Sequence, residues 1–286
     1  MTMTLAAVIG WPVAHSLSPR LHGYWLREHG IDGAYVPLAV RREDFARVVD
    51  GLRRAGFAGV NVTIPHKEAA FALAHTLDTA AEAAGAVNLL VFGEDGRLHG
   101  RNTDAAGLAA HLSATLGKDF LRGKSAVLIG TGGAARAGIL ALVQLGAREI
   151  RIMGRSEART NGLVQAFAGK VSAQLAPVLW SNWAKAAADA SLAVNATSAG
   201  MAGQPALGLG LDLDPLPKTA AVCDIVYNPL ETPLLKEAST RGHPVVDGLG
   251  MLLHQAVPAF AAFYGVTPEV TPGLRTELEK ALRHGR

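Results

Sequence analysis

Apolar residues fall into two alternating textures along this chain. Short apolar runs are separated by longer stretches, rich in Ala and Leu, with helical spacing. That alternation predicts an α/β protein of parallel strands joined by helical crossovers. The first run, residues 6–9, ends at Gly10 and leads into a loop over 11–18. Pro19 then starts a helix reaching about residue 30. Further strands are expected over 35–40, 59–64 and 87–92, the last turning through 93–96.

A second series of strands opens at Ser125, where Ala126-Val127-Leu128-Ile129 has the unbroken apolar character of a strand buried on both faces. It continues over 150–153, 192–194 and 221–226. Because the alternation restarts after a helical stretch over 105–116, two α/β domains are expected, with a junction close to Asp104 and an active-site cleft between them. The second is expected to be a Rossmann-like, doubly wound parallel sheet. Residues 203–217 read as a long loop.

The length of 286 residues, too large for one typical domain, agrees with this division. A formal net charge of +3 comes from scattered basic residues with no run suited to nucleic acid or a membrane surface. It suits small anionic ligands. The N-terminus lacks the charged and long apolar regions of a signal peptide, and no apolar stretch is long enough to span a membrane, so a cytoplasmic protein is expected. Cys223, the single cysteine, lies in an apolar run and reads as buried and inert. The histidines show no metal-ligand spacing, and no metal is expected.

Gly130-Thr131-Gly132-Gly133-Ala134-Ala135 follows the strand at Ser125 and opens a helix running to about residue 145. This is the context of a dinucleotide-binding turn. Gly130 permits the tight turn, Gly132 admits a pyrophosphate, and Ala135 keeps the helix close to its strand. The following strand ends in Met153-Gly154-Arg155-Ser156 without a carboxylate for the adenosine ribose. Arg155, Ser156 and Arg159 instead suit a 2′-phosphate, which selects NADP over NAD.

Three polar segments are candidates for substrate chemistry. In His15-Ser16-Leu17-Ser18-Pro19, Ser18 has the pattern of a helix N-cap, and with Ser16 it offers two hydroxyls to a carboxylate. In Asn61-Val62-Thr63-Ile64-Pro65-His66-Lys67, strand alternation puts Val62 and Ile64 on one side and Asn61 and Thr63 on the other. Pro65 is expected to begin a helix with Lys67 in its first turn, opposed to the helix dipole, a placement suited to a group that exchanges a proton. Asn88 and Asn102-Thr103-Asp104 offer amides and a carboxylate to vicinal hydroxyls, or close turns through local hydrogen bonds.

In this order, and together with Asn195-Ala196-Thr197-Ser198, Gly200-Met201, Asp224, Tyr227, residues 232–235 and residues 248–252, these segments resemble the shikimate dehydrogenase family from one end of the chain to the other. The resemblance implies reversible NADPH-dependent reduction of 3-dehydroshikimate to shikimate, with Lys67 and Asp104 as the catalytic pair. It assigns Ser16, Ser18, Thr63 and Tyr227 to the substrate carboxylate, and Asn88, Asp104 and Gln255 to the ring hydroxyls. Thr197, Ser198, Met201, Ile225 and Gly248 would line the cofactor. It also implies a discontinuous substrate domain, 1–104 plus 250–286, around a cofactor domain, 105–249, and it leans toward a homodimer.

The chain departs from the family pattern at Leu89, Ala105 and Gly154, where Thr, Gly and Asn are usual. Those departures leave open a quinate-oxidising relative or another hydroxy-acid substrate. A non-catalytic NADPH-binding regulator is the alternative of a different class; it would need the glycine turn but neither Lys67 nor Asp104.

Overall fold

The short apolar runs become strands whose inward positions are sealed from solvent, as in Ser125–Ile129, where all five residues are buried. In the computed structural model the described residues are 3–202 and 210–283, so residues 203–209 of the expected long loop lie outside them. The chain divides into two compact units. One holds the residues up to Asp104 and those from Leu252 onward; the other is Ala105–Met251.

The first unit is built from β1 (Thr4–Gly10), α1 (Ser18–Glu28), β2 (Gly33–Ala39), α2 (Phe45–Arg54), β3 (Gly59–Val62), α3 (Lys67–Leu73), β4 (Thr76–Leu77), α4 (Thr79–Ala84), β5 (Leu89–Phe92) and β6 (Leu98–Arg101). Its sheet has the order β2-β1-β3-β5-β6-β4. The expectation of parallel strands holds for β2, β1 and β3, but β5 runs antiparallel to both β3 and β6. The cause is local. Residues 93–97 reverse the chain, with Gly93 N–H donating to the Arg97 carbonyl at 2.9 Å, so β5 and β6 form a hairpin where a crossover helix would be needed for parallel pairing.

Helix α1 buries Leu21, His22, Trp25 and Leu26, a stripe at helical spacing. Its end at His29 is followed by Gly30 in the left-handed region, φ 61°. Two expectations about helix starts are corrected. Ser18 is the first residue of α1 and caps nothing; its N–H instead donates to the Ser16 hydroxyl at 3.3 Å. Pro65 sits in a turn closed by His66 N–H on the Thr63 carbonyl at 2.9 Å, and α3 begins two residues later, at Lys67. The strand before it ends at Val62, so Ile64 is exposed and not a core residue.

The second unit contains α5 (Asp104–Leu116, from Ala105), β7 (Ser125–Ile129), α6 (Gly133–Gln144), β8 (Glu149–Met153), α7 (Glu157–Phe167), β9 (Gln174–Val178), α8 (Trp183–Ala187), β10 (Leu192–Asn195), β11 (Ala221–Asp224), α9 (Pro233–Thr240) and β12 (Val245–Val246). Helix α10 (Leu249–Tyr264) starts here and ends in the first unit, which α11 (Pro272–Arg283) completes. The sheet is parallel throughout, in the order β12-β11-β10-β7-β8-β9. Counted from β7 this is the doubly wound order 3-2-1-4-5-6, with the strand order reversing between β7 and β10. Leu128, Ile139, Leu142, Ile150 and Ile152 anchor its core. Truncating one of these to Ala costs about 2 to 5 kcal/mol. Cys223 is fully buried in β11, and burial pushes its thiol pKa up.

Candidate active site

Topology gathers the polar segments of the first unit at one end of its sheet. Ser16 and Ser18 follow the carboxyl end of β1; Thr63 and Lys67 follow that of β3; Asp104 follows that of β6. Asn88 precedes β5, which runs the other way and so starts at the same end.

Lys67 Nζ donates to Asp104 Oδ2 at 2.5 Å. The lysine side chain is 28% exposed and that of the aspartate 12%, so the pair is screened from bulk water but open on the lysine side. The other carboxylate oxygen, Oδ1, accepts from Asn88 Nδ2 at 2.7 Å. Asn88 is held in turn, its Oδ1 accepting the Thr103 N–H at 2.9 Å while Nδ2 also reaches the Thr103 hydroxyl at 3.0 Å. Gln255, from α10, joins the group: its Oε1 lies 3.3 Å from the Thr103 hydroxyl and 3.4 Å from Asn88 Nδ2. Asn102 takes the turn-closing role, donating to the Ala86 carbonyl and accepting the Asp104 N–H. The network around Asn88 thus fixes the Asp104 carboxylate, while the partly exposed Lys67 has donor capacity beyond its bond to Asp104.

Thr63 is placed by contact with β1. A Cβ on Gly10 would lie 2.5 Å from Thr63 Cγ2, so only glycine lets the two strand ends come this close. Among the departures, Leu89 is fully buried in the core cluster that holds Ala6, Val8, Tyr35, Ala259 and Phe263. It is a packing residue, and Ala105 is likewise buried.

In the second unit the dinucleotide turn has the geometry its sequence asks for. Gly130 has φ 130°, and a Cβ there would lie 2.8 Å from the Ala196 carbonyl oxygen, so the turns after β7 and β10 meet at the point where strand order reverses. Helix α6 starts after Gly132 with no side-chain cap, and a Cβ on Gly132 or Gly133 would meet nothing within 4 Å. Uncapped N–H groups facing open space fit a pyrophosphate. Thr131, Ala134 and Ala135 complete the turn; Ala135 is buried against the sheet.

Beyond β8, Arg155 and Arg159 are exposed, while the Ser156 hydroxyl caps α7 by accepting the Arg159 N–H at 3.4 Å. Two exposed guanidiniums and a hydroxyl at a helix start fit a phosphomonoester. A Cβ on Gly154 would meet Thr131 Cγ2 at 2.6 Å, so the glycine there is matched to Thr131.

A polar network that ties Thr197 to Asn195, Asp224 and Thr232, the last three given no individual role by the sequence, supports the turn after β10. Asn195 Nδ2 donates to Asp224 Oδ1 at 2.9 Å, and Asn195 Oδ1 accepts from both the N–H and the hydroxyl of Thr197. Asp224 Oδ2 accepts the Thr232 hydroxyl at 2.7 Å. Desolvation raises the Asp224 pKa to about 6 against those hydrogen bonds. In the sequence these residues stand as polar residues closing apolar runs and within segments that carry the family resemblance. Ser198 and Met201 are exposed beyond it, Ile225 is half-buried, and Gly248 brings its backbone against the Ile225 carbonyl, 2.3 Å from where a Cβ would stand. Burial raises the pKa of the Tyr227 phenol.

Comparison with known proteins places this architecture. The family model for the shikimate dehydrogenase substrate binding domain matches residues 8–90. The NADP-dependent shikimate dehydrogenase of Methylobacterium radiotolerans is 52% identical over 275 residues, covering 96% of this chain and 95% of that protein. Shikimate 5-dehydrogenase from Thermus thermophilus, solved in complex with NADP(H) and shikimate, superposes with a TM-score of 0.81 at 35% identity over 99% of this chain and 100% of that one. Quinate dehydrogenase from Corynebacterium glutamicum, in complex with NAD, gives 0.86 at 31% identity over 97% and 99%. The fold and site define a nicotinamide-dependent dehydrogenase with a doubly wound cofactor unit. The chain belongs to the shikimate dehydrogenase family.

Proposed function

We propose that this protein is an NADP-dependent dehydrogenase that reversibly reduces 3-dehydroshikimate to shikimate, a step toward chorismate and the aromatic amino acids. The observation that carries the reading is the Lys67–Asp104 pair, 2.5 Å apart at the sheet end where the other polar segments gather. NADPH, when bound, supplies the hydride.

Lys67 Nζ gives a proton to the substrate oxygen as the carbonyl carbon is reduced, and takes it back in the reverse direction. Asp104 keeps the lysine aimed, and Asn88 keeps Asp104 from turning away. Ser16, Ser18 and Thr63 hold the carboxylate by hydroxyl donation. Asn88, Asp104 and Gln255 receive the ring hydroxyls. The turn over residues 130–135 takes the pyrophosphate, and Arg155 with Ser156 and Arg159 takes the 2′-phosphate.

The expected setting is the cytoplasm, and the expected assembly is a homodimer, which light scattering at micromolar concentration tests. The reaction itself is tested by crossing shikimate and quinate with NADP and NAD and following nicotinamide absorbance. Fast reduction of NADP by shikimate supports the reading. Turnover only with quinate, or only with NAD, overturns it.

A further inference from the structure

The turns after β10 and β11 meet on one buried carboxylate. Asp224, the last residue of β11, is fully buried, so it cannot itself reach a ligand, yet it accepts three hydrogen bonds. Its Oδ1 takes the Asn195 side-chain amide at 2.9 Å and the Val226 N–H at 3.0 Å. Its Oδ2 takes the Thr232 hydroxyl, just before α9, at 2.7 Å. Asn195, the last residue of β10, is equally buried, and its orientation is not free. The Asp224 carboxylate and the Ala199 carbonyl only accept, so the Asn195 NH2 must face both, the latter at 3.3 Å. Its oxygen then faces Thr197 and accepts the N–H at 3.0 Å and the hydroxyl at 2.7 Å.

This directed chain ends on the dinucleotide turn. The Thr197 methyl lies 3.2 Å from where a Cβ on Gly130 would stand, and the Ala196 carbonyl oxygen 2.8 Å. The turn after β10 is therefore pressed against the turn after β7. On its other side the Ile225 N–H donates to the Asn195 carbonyl at 3.1 Å.

We propose that Asp224 is a positioning residue for the cofactor: through Asn195 and Thr197 it fixes the turn after β10 against Gly130 before NADP(H) binds. This rests on the assignment of Thr197 and the glycine turn to the cofactor. Without the carboxylate, nothing but the Ala199 carbonyl keeps the Asn195 amide from flipping, and a flipped amide sets its NH2 against the Thr197 N–H, donor against donor. Cofactor binding must then reorder the turn, in ground and transition states alike, so the effect falls on KM for NADP and not on kcat. The two carboxylate oxygens are not equivalent. Both partners of Oδ1 are N–H groups that can only donate, whereas the partner of Oδ2 is a hydroxyl that can accept instead. Asp224→Asn therefore satisfies the network, with its amide oxygen in the Oδ1 place and its NH2 toward Thr232.

The test compares Asp224→Ala with Asp224→Asn by fluorescence titration with NADPH and by steady-state kinetics with shikimate and NADP. Asp224→Ala should raise the Kd for NADPH and the KM for NADP about tenfold, the worth of one hydrogen bond, with kcat within about threefold. Asp224→Asn should keep both constants within about twofold of wild type. A role confined to stability would lower the amount of active enzyme and leave the KM for NADP as it was. Unchanged cofactor constants in Asp224→Ala, or losses in Asp224→Asn as large as those in Asp224→Ala, overturn the proposal. If Asp224→Ala does not fold, Asn195→Ala, which leaves Asp224 bonded to Val226 and Thr232, should give the same rise in both constants. Wild-type protein that binds no NADPH would remove the functional reading and this proposal together, whereas equal NADPH binding by wild type and Asp224→Ala removes the proposal alone.

Discussion

His22 ties the stability of the first unit to pH. The side chain is buried, where a charged imidazolium would lose its hydration, and desolvation lowers its pKa from 6.5 to about 3. In the unfolded chain it takes up a proton near pH 6.5; in the folded chain it does not until about pH 3. Between those values the unfolded state binds more protons, so stability falls as pH falls. At pH 4.5, two pH units below the unfolded value, the loss is about 2.7 kcal/mol at about 1.36 kcal/mol per unit. Asp224 opposes it. A buried carboxyl with its pKa raised to about 6 favours the folded state as pH falls from 6 toward 3.8. The wild-type curve alone therefore understates the His22 effect, and the comparison needed is with His22→Phe, which keeps a ring against Tyr35 and removes the titrating group. Urea unfolding followed by circular dichroism at pH 7.5 and pH 4.5 should show the variant gaining about 2.7 kcal/mol on wild type across that interval, or roughly 5 °C in thermal midpoint. Parallel pH dependence in the two proteins would mean that His22 titrates normally when folded, and would refute the burial argument.

Gly10→Ala places a Cβ against Thr63 and the neighbouring backbone. It should destabilise by about 1 to 3 kcal/mol and raise the KM for shikimate, read by thermal unfolding and steady-state kinetics. Arg155→Ala removes a guanidinium from the end of β8. It should raise the KM for NADP about tenfold or more and leave that for NAD nearly unchanged, which narrows the NADP preference in a cofactor titration.

The four inner strands of the second unit were legible in the sequence, because a sheet buried on both faces requires unbroken apolar runs, as at Ala126 to Ile129, and because a glycine turn after such a run has few other uses; the edge strands β9, largely solvent-facing, and β12, two residues long, were not. The hairpin of β5 and β6 was less so. Leu98-His99-Gly100-Arg101 has a single fully apolar side chain, and an edge-side strand of that kind leaves little hydrophobic signal. Lys67, Asp104 and Asn88 stood out as candidates because polar residues closed apolar runs, and the structure brings the three side chains into one hydrogen-bonded group. The bond from the Tyr35 hydroxyl to Asn61 was missed because an aromatic residue in a strand reads as core, and the two meet only once topology lays β2 and β3 on either side of β1. Ser18 was given a capping role by its position before Pro19, but α1 begins at Ser18 itself, with Leu17 as the N-cap and the Ser18 N–H on the Ser16 hydroxyl. Leu89, a departure from family pattern, is turned into the core by strand alternation.

The central claim is that Lys67 moves the proton while Asp104 holds it in place. The most direct measurement is the initial rate of NADP reduction by shikimate in wild type and in Lys67→Ala, with shikimate and NADPH binding followed in parallel by titration calorimetry. A fall in kcat of about a hundredfold to ten-thousandfold, with both ligands still bound by the variant, is the predicted result. Undiminished turnover in Lys67→Ala, or a wild type that binds NADPH and shikimate without turnover, would contradict it.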